Sequence, residues 1–204
     1  MLKHRVISIT RRLAGLLPPK LCLQAVAWID CFVGWVEPEN VYVPPLVPKD
    51  RRRVAVDVGA NNGVTTSIMA GLFAKVHAFE ANPRLAGLLK AAAPGNVEVH
   101  DMALSSKAGK AVLTVPISAG VTLEGWASVE APLLAQFEQL NQIHVETRTL
   151  DSFALSEVDL LKIDVEGHEM AVLAGAAETI RRCLPWLIIE ALGEHQDRVR
   201  DLVR

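Results

Sequence analysis

The chain alternates between short apolar runs and longer segments in which apolar residues recur at helical spacing. The short runs predict buried strands, and the longer segments predict amphipathic helices between them. The predicted strands span residues 54–58, 76–80, 97–100, 110–117, 144–150, 160–165 and 186–190. The predicted helices span residues 65–74, 83–93, 169–181 and, in a strongly charged form, 193–204. Strands that alternate with helices are typical of an α/β fold, so we predict a doubly wound, Rossmann-like and mostly parallel sheet.

The longest weakly patterned segment inside this alternation spans residues 118–143. A short helix is predicted at 132–140, where Pro132 suits a first helical turn. Insertions of this length in compact domains are more often functional than accidental, so Trp126 and Ser128 are candidates for an acceptor site. A lid over the core is the alternative for Trp126.

Residues 1–36 are amphipathic or apolar and include the pair Pro18-Pro19. Their longest uncharged stretch, residues 21–29, is much shorter than the ~20 residues needed to cross a bilayer. Because prolines interrupt helices, we predict two helices at about 5–17 and 20–35. Either these helices pack on the domain as a cap, or they make a peripheral contact with an anionic membrane surface.

A proline-rich segment, residues 37–53, separates these helices from the strands and helices that follow. Because proline and the residue before it favour extended backbone, we predict a largely extended linker. The chain then divides near residue 50, into an N-terminal helical segment with its linker, residues 1–50, and a Rossmann-like domain, residues 51–204.

Charge and cysteine content narrow the class of protein. The formal net charge of −2 argues against a nucleic-acid partner, because such proteins usually carry a large positive balance. The distribution is uneven: residues 1–53 carry a net charge of +5 and the remainder −7, which motivates the membrane alternative. Cys22, Cys31 and Cys183 are too widely spaced to indicate a disulfide framework or a zinc site, and reduced thiols are typical of a cytoplasmic protein.

The first predicted strand leads directly into a glycine-spaced turn. Asp57 stands in the strand, and Gly59, Asn61 and Gly63 follow at alternate positions. A dinucleotide-binding turn carries glycine where Asn61 stands, and a carboxylate at position 57 would repel a pyrophosphate. The same carboxylate would suit a cationic ligand. S-adenosyl-L-methionine carries a sulfonium and an ammonium group, so we predict it as the cofactor.

Glu80 ends the second predicted strand, twenty-one residues after Gly59. This is about the separation at which an acidic residue reaches the ribose hydroxyls in nucleoside-binding α/β folds. Asp57 and Glu80 therefore predict a nucleoside-binding site at the carboxyl ends of the two strands that carry them. A nicotinamide-dependent oxidoreductase is a weaker alternative, because Asn61 disfavours it.

Several motifs resemble those of the FkbM-type S-adenosylmethionine-dependent methyltransferases. They are Asp-Val-Gly-Ala-Asn-Asn-Gly at 57–63, Phe-Glu-Ala-Asn-Pro at 79–83, Thr-Leu-Asp-Ser at 149–152, Leu-Lys-Ile-Asp-Val-Glu-Gly-His-Glu at 161–169, Val-Leu-Ala-Gly-Ala at 172–176 and Ile-Ile-Glu at 188–190. The resemblance covers about residues 53–192, and the run at 162–167 is its most specific part. It implies a class I methyltransferase type of fold and O-methylation of a hydroxyl on a sugar, glycan or natural product.

The resemblance also places Asp101 and Met102, which follow the third strand, around the adenine ring; a turn-forming role is the alternative for Asp101. The predicted cofactor-binding residues are Asp57, Gly59, Asn61, Gly63, Glu80, Asp101 and Met102. No metal-ligand set is predicted.

Asp164, Glu166 and His168 stand where the strand predicted at 160–165 ends. Carboxyl ends of parallel strands meet at one edge of a sheet, so Asp57, Glu80, Asp164 and Glu166 are expected to converge beside the cofactor. Methyl transfer from a sulfonium requires an aligned acceptor oxygen and benefits from a base, so Asp164, Glu166 and His168 are candidate catalytic residues. A surface turn is the alternative role for His168. Lys162 is predicted to form an internal ion pair, and Glu190 is a further candidate for acceptor binding.

One departure from the family pattern concerns the C-terminal edge of the sheet. Such methyltransferases usually gain an antiparallel strand pair after the helix predicted at 193–204. Either the pair is absent and the edge incomplete, or the strands at 110–117 and 144–150 fill the edge, or a partner chain does. An uncovered edge favours a homodimer. A truncated, catalytically silent nucleoside-binding or scaffold subunit is the alternative function.

Overall fold

The structure, a computed structural model, describes most of the chain from residue 37 onward. The described residues are 37–118, 121–123, 126–130, 137, 139–191 and 195–202, with Leu17, Pro18 and Leu21 as isolated positions. The helices predicted at 5–17 and 20–35, and their membrane contact, therefore fall outside the described residues apart from those positions. Among the helices that are described, none has both the length and the apolar character needed to cross a bilayer.

The strands and helices follow the predicted alternation closely. The strands are β1 (Val54–Val58), β2 (Lys75–Glu80), β3 (Val97–Asp101), β4 (Ala103–Leu104), β5 (Gly109–Ser118), β6 (Val121–Thr122), β7 (Gln139–Arg148), β8 (Leu160–Ile163) and β9 (Trp186–Ile189). The helices are α1 (Pro38–Tyr42), α2 (Val64–Ala70), α3 (Pro83–Ala92), α4 (Glu169–Gly175), α5 (Ala177–Cys183) and α6 (His195–Leu202). Short 3₁₀ turns span Pro44–Leu46, Lys49–Arg51 and Leu150–Phe153.

A parallel sheet with the order β3-β2-β1-β8-β9 forms the centre of the domain. Every residue of β8, and every residue of β1 after Val54, is buried, which is typical of central strands covered on both faces. The chain leaves β1 toward β2 on one side and later returns to β8 on the other. This reversal creates the switch point where α/β sheets bind ligands. The predicted mostly parallel α/β fold is confirmed.

Apolar side chains pack on both faces of this sheet. Phe79, Leu161 and Ile163 lie in one cluster with residues of α4 and α6, and Met69 and Phe73 lie in a cluster on the opposite face. Each fully buried side chain of this size contributes about 1.5–3 kcal/mol relative to exposure. The helix predicted at 169–181 is in fact two helices, because the backbone at Ala176 leaves the helical region with φ −112° and ψ 3°.

A second sheet, with the order β4-β7-β5-β6, lies apart from the first in its hydrogen bonding. β5 and β7 pair antiparallel over nine positions, from Gly109 opposite Thr147 to Ile117 opposite Gln139. The alternative in which these strands complete the edge of the central sheet is therefore wrong. The end of the helix predicted at 132–140 is also wrong, because β7 already begins at Gln139; residues 131–136 and 138 fall outside the described residues.

The segment before β1 is not extended as predicted. It forms α1 and two 3₁₀ turns, because proline also suits the first turn of a helix and Pro38 and Pro44 each occupy that position. Arg52 holds the segment in place by donating hydrogen bonds to the carbonyl oxygens of Val47 at 2.8 Å and Pro45 at 2.7 Å. Val47 is completely buried against the sheet. The boundary near residue 50 stays a prediction.

Candidate active site

A cavity opens at the carboxyl ends of β1, β2 and β8, on the side where β4 and β5 approach. It contains about 650 Å³ of empty space, counting the part open to solvent. Its lining residues are Val58, Gly59, Asn61, Phe79, Glu80, Ala81, Met102, Ala103, Leu104, Leu113, Ala127, Val129, Asp164, Val165, Glu166 and His168. The cavity therefore combines an apolar wall with four ionisable side chains.

The turn between β1 and α2 forms one wall. Gly59 has φ +76°, and a Cβ atom at this position would collide with the backbone oxygen of Asp164. The amides of Gly59 and Ala60 both donate to the Phe79 carbonyl oxygen at 3.0 Å, which fastens the turn to the end of β2. Gly63 does not line the cavity; its backbone packs against the Leu89 side chain of α3. Gly63 thus shapes the turn from behind.

Glu80 is held at the cavity by two backbone amides. Its Oε2 accepts from the Asn61 amide and its Oε1 from the Asn82 amide, both at 2.7 Å. Burial raises the pKa of Glu80 to about 7, although these two donors and Lys162 act in the opposite direction. Each carboxylate oxygen keeps a second lone pair, so Glu80 can accept hydrogen bonds from a pair of neighbouring hydroxyl groups.

Asp57 does not reach the cavity surface. Its side chain is completely buried, and its Oδ2 accepts from the Thr66 hydroxyl at 2.6 Å while Oδ1 lies 3.4 Å from Lys162 Nζ. The physical reason is register: Asp57 on β1 lies directly beside Lys162 on β8. The expectation that the Asp57 carboxylate meets a cationic ligand directly is corrected accordingly, because a cation of the protein itself already pairs with this carboxylate.

Lys162 joins two carboxylates and the glycine turn. Its Nζ lies 3.0 Å from Asp164 Oδ2 and donates to the Gly59 carbonyl oxygen at 3.1 Å, in addition to the contact with Asp57. Burial alone would lower the pKa of Lys162, but the charges of Asp57 and Asp164 outweigh it and hold the pKa above its ordinary value. The predicted internal ion pair is confirmed, and Asp164 presents to the cavity a carboxylate that is already partly neutralised.

The two residues after β3 differ in position. Met102 lines the cavity, and its amide donates to the Glu80 carbonyl oxygen at 3.1 Å. Asp101 is exposed outside the cavity, with Oδ2 3.9 Å from Lys90 Nζ. The structure therefore brings Met102 but not Asp101 to the predicted adenine side, because consecutive residues of an extended chain point in opposite directions.

Glu166 follows β8 in a strained turn. It has φ +49° and Gly167 has φ +96°, and such backbone conformations in non-glycine residues are concentrated at functional sites. Burial, followed by the charges of Asp164 and Glu169, raises the pKa of Glu166 to about 7. The Glu166 carboxylate is suited to accept a proton near neutral pH.

His168 stands between two polar side chains at the beginning of α4. Its Nδ1 lies 2.7 Å from Glu130 Oε1, and its Nε2 lies 3.0 Å from Ser105 Oγ. Each ring nitrogen therefore has a polar partner within hydrogen-bond distance. These two partners fix the orientation of the imidazole ring, which argues against a mere surface turn.

The predicted acceptor residues of the insertion lie beside the cavity and not in it. Ser128 is buried, donates to the Glu166 carbonyl oxygen at 2.6 Å and accepts from the Glu130 amide at 2.9 Å. Ser128 thereby fixes the backbone at Glu130, which contacts His168, and at Glu166, two residues before His168. Trp126 is 52% exposed and packs edge-on against Phe137. Their neighbours Ala127 and Val129 line the cavity instead.

Glu190 lies at the rim, next to the end of β9. Burial, the charge of Asp164 and a hydrogen bond with Glu37 raise the pKa of Glu190 to about 9. The rim therefore carries several carboxyl groups that cannot all be ionised cheaply at neutral pH. Glu190 is outside the set of cavity-lining residues, so its role in acceptor binding stays a prediction.

Thr66, Ser105 and Glu130 were not predicted as partners of site residues. Thr66 lies in the first turn of α2, nine residues after Asp57 and across the glycine turn, and its hydroxyl donates to the Asp57 carboxylate. Ser105 and Glu130 reach His168 through chain separations of 63 and 38 residues. No local pattern marks such contacts.

Comparison with known proteins agrees with this geometry. The model of the methyltransferase FkbM domain family matches residues 57–204. The crystal structure of methyltransferase FkbM from Methylobacillus flagellatus KT is similar in fold, with a TM-score of 0.51 and 18% sequence identity over 92% of this chain and 48% of that chain. The chain thus spans about half the length of that solved structure. A comparison with curated proteins found no match.

The family match covers the glycine turn, the strand ends and the whole cavity region described above. Because it extends over well more than half of the sequence, it fixes the family independently of any single site residue. This chain belongs to the methyltransferase FkbM domain family.

Proposed function

We propose that the protein is an S-adenosyl-L-methionine-dependent methyltransferase that methylates a hydroxyl group of a sugar, glycan or natural product. The observation that carries the proposal is the placement of Glu80. Its carboxylate is fixed by two amides at the end of β2 and keeps free lone pairs toward the cavity. This is the position from which an acid binds ribose hydroxyls in nucleoside-binding α/β folds.

The remaining cavity residues fit the rest of the cofactor. Met102 offers apolar surface for an adenine ring, and the Gly59–Asn61 backbone and the Asp164 carboxylate lie on the side suited to a charged amino-acid group. Asp57 acts indirectly in this proposal, because it holds Lys162 and, through Lys162, the Gly59 carbonyl oxygen and Asp164. When bound, the cofactor supplies a methyl group already activated by its sulfonium.

This chain supplies alignment, exclusion of water and a proton acceptor. Glu166 is the preferred base, because it lines the cavity and burial brings its pKa to about 7. His168 is the second candidate; its Nε2 is occupied by Ser105, so it would accept the acceptor's proton only after that hydroxyl moves or by relay through it. Glu130 is a positioning residue that fixes the imidazole.

Titration calorimetry with S-adenosylhomocysteine tests the cofactor assignment. The unaltered protein is expected to bind with a stoichiometry of one, and Glu80→Ala is expected to weaken binding at least tenfold, because two ribose hydrogen bonds to a charged group are lost. Glu146→Ala, an exposed change on β7, is the matched control. Absence of binding by the unaltered protein, or equal affinity of Glu80→Ala, would reject the assignment.

Transfer of a labelled methyl group to a panel of free sugars, oligosaccharides and hydroxylated natural products tests the reaction. Labelled products whose label survives alkaline hydrolysis of esters support an ether-type O-methyl group. Cofactor binding without transfer to any acceptor in the panel would favour the alternative, a catalytically silent nucleoside-binding or scaffold subunit.

The partners stay proposals as well. A homodimer would pair through an exposed edge of the central sheet, where Trp186 of β9 is 39% exposed. Sedimentation velocity of the unaltered protein and of Trp186→Lys tests this, because a charge on the edge strand is expected to dissociate such a dimer. Peripheral membrane contact predicts that flotation with anionic liposomes requires residues 1–36.

A further inference from the structure

Two histidines and a glutamate converge where β2 and β3 pair, and none of the three belongs to the residues that line the cavity. His77 Nδ1 lies 3.1 Å from His100 Nε2, and these nitrogens lie 3.8 Å and 3.7 Å from carboxylate oxygens of Glu98. The potential ligand atoms of the three residues all lie within 4.8 Å of one another. In the part of the chain that the structure describes, this is the single group of histidine, cysteine or acidic residues that meets that spacing.

Strand register explains the convergence. His77 on β2 lies directly beside Glu98 on β3, and His100 stands two residues further along β3. Side chains two residues apart in a strand point to the same face, so the three groups meet on one face of the sheet. Both imidazoles are largely buried, whereas the Glu98 side chain is 51% exposed. The cluster is thus rigid on the histidine side and accessible from solvent on the carboxylate side.

We propose that His77, Glu98 and His100 form a binding site for a divalent transition metal, with zinc as the preferred ion. Two imidazole nitrogens and one carboxylate are a ligand set that zinc takes with a water molecule in the fourth position. Nitrogens bound to a tetrahedral zinc at about 2.0–2.1 Å are separated by about 3.4 Å, close to the separation seen between His77 and His100. Hard ions such as Mg²⁺ and Ca²⁺ prefer oxygen ligands and would bind weakly.

The surroundings favour a metal over a purely aromatic contact. His100 stacks on Phe79 with ring centroids 4.4 Å apart, and Phe153 meets both rings edge-on. Stacking accounts for the burial of the rings, and a hydrogen bond between His77 Nδ1 and His100 Nε2 at 3.1 Å joins the two nitrogens. A bound metal would replace this hydrogen bond, and it would also use the Glu98 carboxylate, which neither contact explains. Burial lowers the pKa of both histidines, so both imidazoles are in the neutral form that binds metals.

A surface ion pair competes with the metal for the carboxylate. Lys75 Nζ lies 2.7 Å from Glu98 Oε2 and is 49% exposed, so the ammonium group can swing into solvent when the metal arrives. Removal of this ammonium is therefore expected to strengthen metal binding. If the cluster bound no metal and served only to stabilise the fold, removing the Lys75 ammonium group would not raise the affinity for zinc.

The site would act on the cavity through packing. The metal would link edge strand β3 to β2 and hold His100, whose ring lies on Phe79, a residue of the cavity wall. The metal would lie behind the cavity wall and not in the cavity. Its role would therefore be to support the structure of the proposed active site. The inference is independent of the proposed methyl transfer.

The test uses the full chain, treated with a chelator and then titrated with ZnCl₂ in a calorimeter. One zinc per chain is expected, and His77→Gln and Glu98→Gln are each expected to lower the affinity at least tenfold. Lys75→Gln is expected to raise it. Bound Co²⁺ should show the visible absorption of a tetrahedral site in the unaltered protein and lose it in both variants. Because Glu98 is half exposed, Glu98→Gln is expected to fold even if the buried histidine variant does not, and circular dichroism checks this.

His144→Gln, an exposed change on β7, is the control for adventitious binding by surface histidine. His168→Gln tests whether zinc binds instead at the cluster of His168, Glu130 and Ser105. Non-saturable binding, unchanged affinity in Glu98→Gln, or a loss confined to His144→Gln or His168→Gln would overturn the proposal.

Discussion

At the scale of single residues, the buried charge of Asp57 depends on one cation. Lys162 is 4% exposed and pairs with both Asp57 and Asp164. Removing one member of a buried pair leaves an uncompensated charge, which typically costs about 3–5 kcal/mol. Lys162→Met is therefore expected to lower the free energy of unfolding by about that amount, measured by urea denaturation.

The control for this variant is Lys90→Met, because the pair of Lys90 with Asp101 is half exposed and spans 3.9 Å. Its loss is expected to cost no more than about 1 kcal/mol. The double variant Asp57→Asn with Lys162→Met should recover part of the stability. Equal stabilities of Lys162→Met and Lys90→Met would show that Lys162 does not compensate a buried charge.

A second prediction at this scale concerns the base. If Glu166 accepts the proton, kcat at saturating cofactor rises with pH through about 7, because the carboxyl group must lose its own proton first. Glu80 also has a pKa of about 7, but its ionisation would act on cofactor binding and therefore on KM. Glu166→Gln is expected to lower kcat by about 10²–10⁴ and to remove this rise. A pH profile of methyl transfer measures both effects.

Asn61→Ser, a change at the cofactor side of the cavity, serves as the comparison. This variant should change KM for the cofactor, but its rate of methyl transfer should still rise with pH as in the unaltered protein. If Glu166→Gln keeps the rise and His168→Gln removes it, the base is His168.

Residue-scale reasoning from sequence was successful where one strand end determines the position. Asp57, Glu80, Asp164 and Glu166 were predicted to converge because carboxyl ends of parallel strands meet, and Glu80, Asp164 and Glu166 line one cavity. Asp57 does not line it, since it lies beside Lys162 of β8, and the identity of a neighbour on the next strand depends on register. Register is a non-local property that one strand does not encode.

At the scale of secondary structure elements, the turn from β1 to α2 is joined to the end of β8 by close backbone contact. Gly59→Ala would place a methyl group against the backbone oxygen of Asp164. The left-handed conformation alone costs an alanine about 1–2 kcal/mol, and the collision adds to it. We therefore expect Gly59→Ala to lower both stability and affinity for S-adenosylhomocysteine, measured by urea denaturation and calorimetry.

Gly63→Ala is the matched variant, since Gly63 has nearly the same φ, +78°, but faces the flexible end of the Leu89 side chain. Leu89 can move, so the expected cost stays near the 1–2 kcal/mol of the backbone conformation. A larger loss in Gly63→Ala than in Gly59→Ala would contradict the assigned contacts.

Elements of the central sheet were predictable because each carries a local apolar signal. β1, β2, β3, β8 and β9 lie within about two residues of their predicted bounds. In the second sheet, β5 lies within one residue of its predicted bounds and β7 overlaps the strand predicted at 144–150. Their pairing into a separate sheet was not predicted, because it joins β5 to β7 across an insertion without pattern. The proline-rich segment was predicted extended but is helical in short turns, since proline satisfies either conformation at a first helical position.

At the scale of the whole molecule, the carboxyl groups gathered at the carboxyl ends of the sheet make stability depend on pH. Glu190 has a pKa of about 9 in the folded protein and an ordinary value of 4.5. Between these values the folded protein keeps a proton that the unfolded chain has lost, so the free energy of unfolding falls as pH rises. His77, whose pKa burial lowers to about 4, has the opposite effect only below its ordinary value of 6.5.

Glu80 and Glu166, with pKa values of about 7 in the folded protein, are largely ionised above pH 8. The window from pH 8 to about 9 therefore isolates Glu190 from these other groups. The melting temperature of the unaltered protein is expected to fall across this window, and Glu190→Gln should flatten the decline, because the amide does not ionise. Differential scanning calorimetry at half-unit intervals of pH measures the slope. Glu146→Gln, an exposed change on β7, should keep the original slope. An equal slope in Glu190→Gln would mean that the Glu190 carboxyl group is already ionised at neutral pH, and that the acids at the rim repel one another less than their crowding indicates.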